Sequence, residues 1–414
     1  MKIMVAAASF SPNISGIQRH ALNMVRCLLR HPEISGVDLV VAPWQTKLAE
    51  VARLATDKRL AIHVEKMEES SISRNRWYYV GLPALASRLQ VNLVHLTYPV
   101  PVNAAAIPCP TVVTLHDFYP FEIPRNFRFP QLIFNRLILE QCLKGVDAIA
   151  CVSETTLLKM QEYAPRSTWG KAIRIYNCVE PESLRAALSP LPDWQGQPFL
   201  LSVAQHRRNK NIPLLIKTFH HLLRDAMINS NVKLVVVGID GPETERIHRL
   251  VSRLELEGQV LLLKGLSEPE LQWCYTHCEV LVTPSKTEGF GLPVVEGLLA
   301  GCRVVCSDIG AFREIGGEHC RFFVLGSGEK HALAAAIHAA MKDRRGISID
   351  FPQLSSEVLS HEYVHLYRQL LSYKTTASAS QRSRLALRAE REQLTGEEGS
   401  QPVMLSTGDE HGRI

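Results

Sequence analysis

Two glutamates, Glu288 and Glu296, lie eight residues apart on either side of a glycine-rich turn. At Leu292 the turn passes into an apolar run that ends before Gly301, which predicts a short helix closed by a C-terminal glycine. The N-terminus of such a helix presents unpaired N–H groups and a positive dipole end to an anion. The two carboxylates can accept hydrogen bonds from hydroxyl groups. The stretch therefore predicts a site for a ligand that carries phosphate and sugar hydroxyls. The backbone donors would be those of Gly289, Phe290, Gly291 and Leu292.

The string EGFGLPVVEG, with seven residues between its two glutamates, resembles the signature of the family 4 retaining glycosyltransferases. The resemblance implies the GT-B fold, in which two Rossmann-like domains face each other across a cleft. It also implies that Glu288 contacts the donor sugar and that Glu296 holds the nucleotide ribose. Taken without the resemblance, the same residues could form an amphipathic helix with two exposed glutamates.

A histidine and an aspartate, His116 and Asp117, come directly after the apolar run TVVTL. Functional residues often lie at such strand ends. A His-Asp pair is common at this point in family 4, and the resemblance implies that His116 lies near the hydroxymethyl group of the donor sugar. It associates Asp117 with handling of the acceptor. The alternative is a pair that only caps the loop.

A basic turn, QHRRNKN, follows the predicted strand PFLLSVA. Positive charge at a strand end is suited to binding a diphosphate leaving group, although a solvated basic turn would look the same. The family usually has an arginine a few residues before a Lys-Asn pair. Lys210 and Asn211 match that pair, whereas Gln205 occupies the arginine position. We therefore expect Lys210 to bind the diphosphate, with Arg207 or Arg208 in place of the missing arginine.

Three glycine or loop positions complete the predicted site. Gly16 lies where a loop enters the first amphipathic helix, and the resemblance implies donor phosphates nearby, although a simple turn would also use a glycine. The resemblance also implies a nucleobase pocket around Gly265 and Leu266. Ser153 is predicted to cap a helix that begins at Glu154.

The length of 414 residues suits two domains, and strand-like runs alternate with helical segments in both halves. This predicts an α/β fold with two parallel sheets covered on both faces. We expect an acceptor-binding domain over 1–180 that is completed by a C-terminal helix at 355–373. A linker at 181–197, a nucleotide-sugar domain at 198–354 and a disordered tail at 374–414 would follow. The strand-like runs of the first half are Lys2–Ala8, Val37–Ala42, Leu60–Glu65, Asn92–Thr97, Thr111–Leu115 and Asp147–Val152.

Composition describes a soluble globular protein, with 46% hydrophobic and 21% charged residues. The formal net charge of +5 is mild and does not demand a nucleic-acid partner. The N-terminal MKIMVAAASFSP resembles a signal peptide, but the turn and amphipathic helix after it favour a first strand. Ten cysteines without a CxxC pair indicate buried free thiols in a reducing cytoplasm.

Two segments mix basic and aromatic residues, Arg74–Tyr79 and Arg125–Arg136. Such clusters suit an anionic membrane surface, and they also occur as solvated helix faces with core aromatics. The hypothesis is that the first half docks peripherally on the cytoplasmic face of the inner membrane, where it would reach a lipid-linked acceptor.

A formal zinc-protease pattern, HEYVH, occurs in the last predicted helix. It would place His361 and His365 on one helix face as ligands, with Glu362 as the base. The downstream sequence offers no convincing third ligand, so a zinc hydrolase is an alternative to be tested against the transferase.

The resemblance implies transfer of a hexose from a nucleotide sugar to a hydroxyl of a glycan or lipid-linked glycan, with retention at the anomeric carbon. GDP-mannose is the first candidate donor and a UDP-hexose the second, in cell-envelope or exported-polysaccharide synthesis. The chain contains no DxD motif, so no obligatory divalent metal is expected. A GT-B sugar-nucleotide epimerase and a non-catalytic nucleotide-sugar binding protein are further alternatives.

Overall fold

The computed structural model describes residues 1–373 except 13, 54–56, 180–188, 192–193 and 345. Residues Met1–Tyr367 form one compact unit, which contains two β-sheets. Of the second unit, Arg368–Ile414, residues 368–373 are described and are helical. The predicted tail at 374–414 and most of the predicted linker at 181–197 lie outside the described residues.

The first domain alternates strands and helices along the chain. Its strands are β1 (Lys2–Ala6), β2 (Gly36–Val41), β3 (Leu60–Val64), β4 (Leu93–Leu96), β5 (Thr111–Leu115), β6 (Ala148–Cys151) and β7 (Ala172–Arg174). Its helices are α1 (Gly16–Arg30), α2 (Thr46–Arg53), α3 (Ser71–Arg76), α4 (Leu82–Leu89), α5 (Tyr119–Glu122), α6 (Gln131–Gly145) and α7 (Glu154–Tyr163). The strands pair in parallel in the order β3-β2-β1-β4-β5-β6-β7.

The second domain repeats this plan with six strands. They are β8 (Phe199–Val203), β9 (Lys233–Val237), β10 (Val260–Leu263), β11 (Val280–Thr283), β12 (Val304–Ser307) and β13 (Cys320–Phe323). The helices are α8 (Ile212–Arg224), α9 (Thr244–Arg253), α10 (Glu268–His277), α11 (Leu292–Leu299), α12 (Gly310–Gly316) and α13 (Glu329–Lys342). The parallel strand order is β10-β9-β8-β11-β12-β13.

The order of each sheet reverses once, between β1 and β4 in the first and between β8 and β11 in the second. In doubly wound sheets, ligands bind outside the carboxyl ends of the strands at such a reversal. The loop before Gly16 follows β1, the turn carrying Lys210 follows β8, and the loop carrying Glu288 follows β11. The topology therefore brings these predicted site residues to the ligand-binding edges of the two sheets.

Both faces of the second sheet are buried, because successive strand residues belong to different cores. Leu200 and Leu234 pack in one apolar cluster, whereas their neighbours Leu201 and Val235 pack in the other. A sheet covered on both faces needs near-continuous apolar strands rather than alternating ones. This explains why runs such as FLLSV and KLVVV could be recognised as buried parallel strands from the sequence.

Polar contacts join the two domains beside the cleft. Glu314 of α12 accepts hydrogen bonds from the backbone N–H groups of Glu154 and Thr155, at 2.7 and 3.0 Å. These are unpaired donors at the N-terminus of α7, where a carboxylate is favoured. Lys159 of the same helix forms an ion pair with Glu122 and donates to the hydroxyl of Thr287 at 3.0 Å. The contacts connect α7 of the first domain to both α12 and the loop before Glu288.

The helix over residues 356–367 contacts the first domain. The imidazoles of His361 and His31 approach to 3.1 Å, and the hydroxyl of Tyr367 lies 2.6 Å from Nδ1 of His95. Tyr363 and Tyr367 are both buried. These contacts place the helix against α1 and β4.

The strand predictions for the first half are confirmed to within a residue or two at each end, and β1 forms from the segment that resembles a signal peptide. The short edge strand β7 and the π-helical turn Trp77–Gly81 between α3 and α4 were not predicted from the sequence. All ten cysteines are free thiols, nine of them buried. Within the described ranges, none of the helices is both long and apolar enough to cross a bilayer.

Candidate active site

A cleft of about 1360 Å³ is lined by loops at the carboxyl ends of strands in both domains. Of the fourteen predicted site residues, thirteen line this cleft and Arg208 does not. The thirteen are Gly16, His116, Asp117, Arg207, Lys210, Gly265, Leu266, Glu288, Gly289, Phe290, Gly291, Leu292 and Glu296.

Lys210 and Glu288 form an ion pair inside the cleft, with 2.5 Å between Nζ and Oε1. Their side chains are 21% and 13% exposed, so the pair is largely screened from water. Backbone contacts fix the two segments, because the N–H of Lys286 donates to the carbonyl of Asn209 at 2.7 Å. The pair thus sets a cation and a carboxylate side by side at the reversal between β8 and β11.

The N-terminus of α11 opens onto the cleft. Gly291 precedes the helix with φ of +104°, a left-handed conformation that strongly favours glycine. Gly289 is packed against the first domain, since a Cβ built there would lie 1.5 Å from the carbonyl oxygen of His116. The Gly289 carbonyl accepts hydrogen bonds from the hydroxyls of Ser153 and Thr156. Each glycine therefore has a specific geometric role.

Both carboxylate oxygens of Glu296 are occupied by side chains. Oε2 accepts a hydrogen bond from the Tyr275 hydroxyl at 2.7 Å, and Oε1 pairs with Arg19 at 2.9 Å. Arg19 also forms an ion pair with Glu268. Burial opposes the charge on Arg19, but the two carboxylates outweigh it, so the pKa of the guanidinium is raised. Arg19 belongs to α1, so this bridge joins the two domains at the cleft.

His116 is held in one tautomer by the first sheet. Its Nε2 donates to the carbonyl oxygen of Thr97 at 2.8 Å, which leaves Nδ1 as the acceptor. Burial lowers the pKa of His116, against opposing effects of the Thr97 carbonyl and the Asp117 charge, so the ring is neutral at pH 7. The Asp117 carboxylate accepts from the N–H of Tyr119 at 3.0 Å and so supports the start of α5.

The two neighbouring arginines of the basic turn have different surroundings. Arg207 lines the cleft, with its guanidinium 5.6 Å from the centre of the Tyr119 ring. Arg208 instead pairs with Glu243 at 3.1 Å and lines a separate cavity. Of the two arginines predicted to take the place of the missing family arginine, only Arg207 therefore lines the cleft. Burial raises the pKa of Tyr119 to about 12, so its hydroxyl stays protonated at physiological pH.

Gly265 and Leu266 lie at the second-domain side of the cleft, after β10. Gly265 has φ of +73°, a left-handed turn that glycine adopts without strain. Ser267 follows and caps α10, because its side chain accepts from the N–H of Glu270. The predicted cap of α7 is present as well, since the Ser153 hydroxyl accepts from the N–H of Thr156.

Three residues of the site were missed by sequence reasoning. Arg19, Glu268 and Tyr275 surround Glu296, and they come from α1 and α10. Arg19 lies three residues after Gly16, but a single arginine on an amphipathic helix carries no signal of its own. The only available clue was that Gly16 marks a strand-end loop, where charged neighbours merit attention.

The zinc-hydrolase pattern is not assembled into a ligand set. His361 lies against His31, with 3.1 Å between ring nitrogens. In the part of the chain that the structure describes, no group of three His, Cys, Asp or Glu side chains is arranged to hold a metal ion. The HEYVH string is therefore better explained by the packing of its helix on the first domain.

Two family models match the chain and between them span both domains. The model for Glycosyltransferase Family 4 matches residues 14–183, and that for Glycosyl transferases group 1 matches residues 190–350. The chain belongs to glycosyltransferase family 4. Its two Rossmann-like domains are those of the GT-B fold.

Curated relatives of this family 4 chain include two mannosyltransferases of Escherichia coli. The chain is 29% identical to the serotype-specific mannosyltransferase WbdA over 236 residues, which cover 53% of this chain and 28% of WbdA. It is 26% identical to the O-antigen chain mannosyltransferase B over 239 residues, which cover 56% of this chain and 61% of that protein. The chain thus spans less than two thirds of the length of either relative.

A solved structure with the same fold is that of HepE from Anabaena in complex with UDP-glucose. The TM-score is 0.63 at 17% identity, covering 91% of this chain and all of that chain. At this identity the likeness establishes the fold alone. In this family 4 chain, Gln205 holds the position at which the resemblance predicts an arginine, and both Gln205 and Arg207 line the cleft.

Proposed function

We propose that this protein transfers a hexose from a nucleotide sugar to a hydroxyl of a glycan or lipid-linked glycan, with retention at the anomeric carbon. The observation that carries the proposal is the Lys210–Glu288 ion pair beside the glycine-lined N-terminus of α11, inside the cleft between two domains. The mannosyltransferase relatives favour mannose as the hexose and cell-envelope polysaccharide, such as lipopolysaccharide or exopolysaccharide, as the product.

The chemistry requires stabilisation of a diphosphate on which negative charge develops as the glycosidic bond breaks. Lys210, Arg207 and the backbone N–H groups around Gly291 would supply it. Glu288 would orient the donor sugar, and Glu296 would hold the ribose. Neutral His116 would bind a sugar hydroxyl, and Asp117 lies on the first-domain side, where the acceptor would enter. A front-side displacement of this kind needs no carboxylate nucleophile, and we expect no obligatory divalent metal.

Substitution of the ion pair tests these roles. Lys210→Ala and Glu288→Ala are each expected to lower kcat by about 100- to 1000-fold, the usual effect of removing a group that stabilises transition-state charge. Lys217→Ala on α8 and Glu245→Ala on α9 are matched controls, since both side chains are exposed. If either cleft variant stays folded and keeps the turnover of the unsubstituted chain, the assigned roles are wrong.

The nucleotide and sugar are open to a direct screen. Thermal unfolding would be followed with GDP-mannose, other GDP-sugars, UDP-hexoses and ADP-sugars, because a ligand that binds only the native state raises the apparent stability. We expect the largest shift with GDP-mannose. Release of nucleotide only when a glycan acceptor is added would distinguish a transferase from an epimerase, and donor binding without turnover would indicate a binding protein.

We further propose that the first domain docks on an anionic membrane on the cytoplasmic side. Phe129, Ile133, Phe134 and Leu137 are exposed on and just before α6, next to Arg125 and Arg128. The neighbouring face of α6 reaches the cleft through Ile138, where Tyr98 and Val100 complete an apolar wall. A lipid-linked acceptor could therefore enter the cleft beside the docked surface.

Flotation with vesicles containing anionic lipid tests the docking. Burying one phenylalanine contributes about 1.5–3 kcal/mol, so Phe129→Ser with Phe134→Ser should lower vesicle binding by more than tenfold. Ile347→Ser is the matched control, because Ile347 is 86% exposed and belongs to the second domain. Equal flotation of all three proteins, or no preference for anionic vesicles, would argue against docking through this face.

A further inference from the structure

A second cavity of about 430 Å³ lies between α5 and its following turn in the first domain and the start of α8 in the second. We call it the basic side pocket. It is distinct from the cleft, with which it shares no lining residue. Its charged lining residues are Glu122, Arg125, Arg208, Glu243, Arg246 and Lys286.

The charges of this pocket do not cancel. Glu243 is 5% exposed, and its carboxylate forms ion pairs with two guanidiniums, that of Arg208 at 3.1 Å and that of Arg246 at 2.8 Å. Glu122 is paired with Lys159 from outside the pocket. The remaining lining cations, Arg125 and Lys286, add to this excess. Four cations against two carboxylates, both already paired, leave a positive field inside the cavity.

An unused hydrogen-bond donor lies at the same place. Asn211 lines the pocket and directly precedes α8, in the left-handed conformation with φ of +53°. The residue is 8% exposed, and within the described residues its Nδ2 has no hydrogen-bond partner. A buried amide donor without a partner is costly, and a ligand acceptor that reaches Nδ2 would relieve that cost. The thirteen-residue helix that follows adds the positive end of its dipole.

We propose that the basic side pocket binds a phosphate group. Guanidinium groups match the geometry of phosphate oxygens through paired N–H donors, and the Asn211 amide supplies a neutral donor beside them. The phosphate would be either a free anion or the phosphomonoester headgroup of a lipid, since Arg125 lies four residues before the exposed Phe129. The proposal does not depend on transferase activity, because binding is measured directly.

Calorimetric titration of inorganic phosphate into the full chain tests the proposal. We expect about 3- to 10-fold weaker binding in each of three variants, Arg125→Ala, Arg246→Ala and Lys286→Ala. This loss lies between that of an exposed ion pair and that of a buried charge-assisted hydrogen bond. Asn211→Gly keeps the left-handed backbone and removes only the amide, so it should weaken binding without unfolding α8.

Two controls locate the bound phosphate. Arg249 belongs to α9, as Arg246 does, but it is exposed and does not line the pocket. Arg249→Ala should therefore leave phosphate binding unchanged. Lys210→Ala removes a cation of the cleft instead. If Lys210→Ala weakens phosphate binding and the side-pocket variants do not, the phosphate binds in the cleft and the proposal is overturned. It is likewise overturned if the unsubstituted chain does not bind phosphate.

Vesicles distinguish the two sources of phosphate. Phosphatidylcholine vesicles with and without phosphatidate would be floated with the Lys286→Ala and Arg125→Ala proteins. Loss of phosphatidate-dependent flotation together with weaker inorganic phosphate binding supports a lipid headgroup. Unchanged flotation with weaker inorganic phosphate binding supports a free anion. Unchanged behaviour in both assays contradicts a phosphate site in this pocket.

Discussion

Acidification should destabilise this protein through a buried histidine of the first domain. His95 of β4 is fully buried, with Nδ1 at 2.6 Å from the Tyr367 hydroxyl and Nε2 at 2.9 Å from that of Thr114. Burial, with a further effect of the nearby His116, lowers the pKa of His95 to about 3. Burial also lowers the pKa of His20 well below its usual value.

The sign and the size of the effect follow from the shifted pKa of His95. Above pH 6.5 the ring is neutral in both the folded and the unfolded chain, and its titration does not affect stability. Below about pH 6.5 the unfolded chain binds a proton that the folded chain does not, so stability falls until the pH approaches 3. Between pH 7 and pH 5 this single histidine lowers the free energy of unfolding by about 2 kcal/mol.

Urea unfolding at pH 7, 6 and 5 measures this effect in the unsubstituted chain and in His95→Gln. The unsubstituted chain should lose about 2 kcal/mol more than the variant between pH 7 and pH 5. His319→Gln, at an exposed position, controls for the loss of a histidine as such. Equal pH dependence of the unsubstituted chain and His95→Gln would refute the reasoning, as would protonation of the His95 ring above pH 5 by NMR.

Three further substitutions test the contacts around the cleft. Gly289→Ala would force a Cβ to 1.5 Å from the His116 carbonyl, so it should lower the unfolding free energy by about 1–3 kcal/mol and reduce donor turnover. Arg19→Met leaves Glu296 with Tyr275 as its remaining partner and should destabilise the fold by about 2 kcal/mol in urea titrations. Ser153→Ala removes the cap of α7, and its midpoint of thermal unfolding should fall by an amount equivalent to about 1 kcal/mol. An unchanged midpoint in any of the three would contradict the contact concerned.

Much of the fold could be predicted because its signals are local. Apolar runs such as TVVTL form strands that are buried on both faces, and their alternation with helices predicts that the strands pair in parallel. The strand β7 was missed because three residues at a sheet edge give too short a pattern. The sequence also indicated that Lys210 and Glu288 each follow a strand, and the structure shows that these two strands are neighbours at the reversal of the sheet.

The arrangement of charges around these residues could not be predicted, because it depends on how segments far apart in the chain meet. Arg19 and Glu296 are 277 residues apart, and only the apposition of the two domains brings them to 2.9 Å. Arg207 and Arg208 are adjacent and share one local signal, yet one side chain enters the cleft and the other enters the basic side pocket.

The sequence by itself thus determined which elements form and which strand ends carry reactive side chains, because backbone periodicity and helix capping act over a few residues. The tertiary structure decided which charge faces which. Side-chain partners are set by contact in space, and contacts between two sheets with separate cores leave no periodic pattern along the chain.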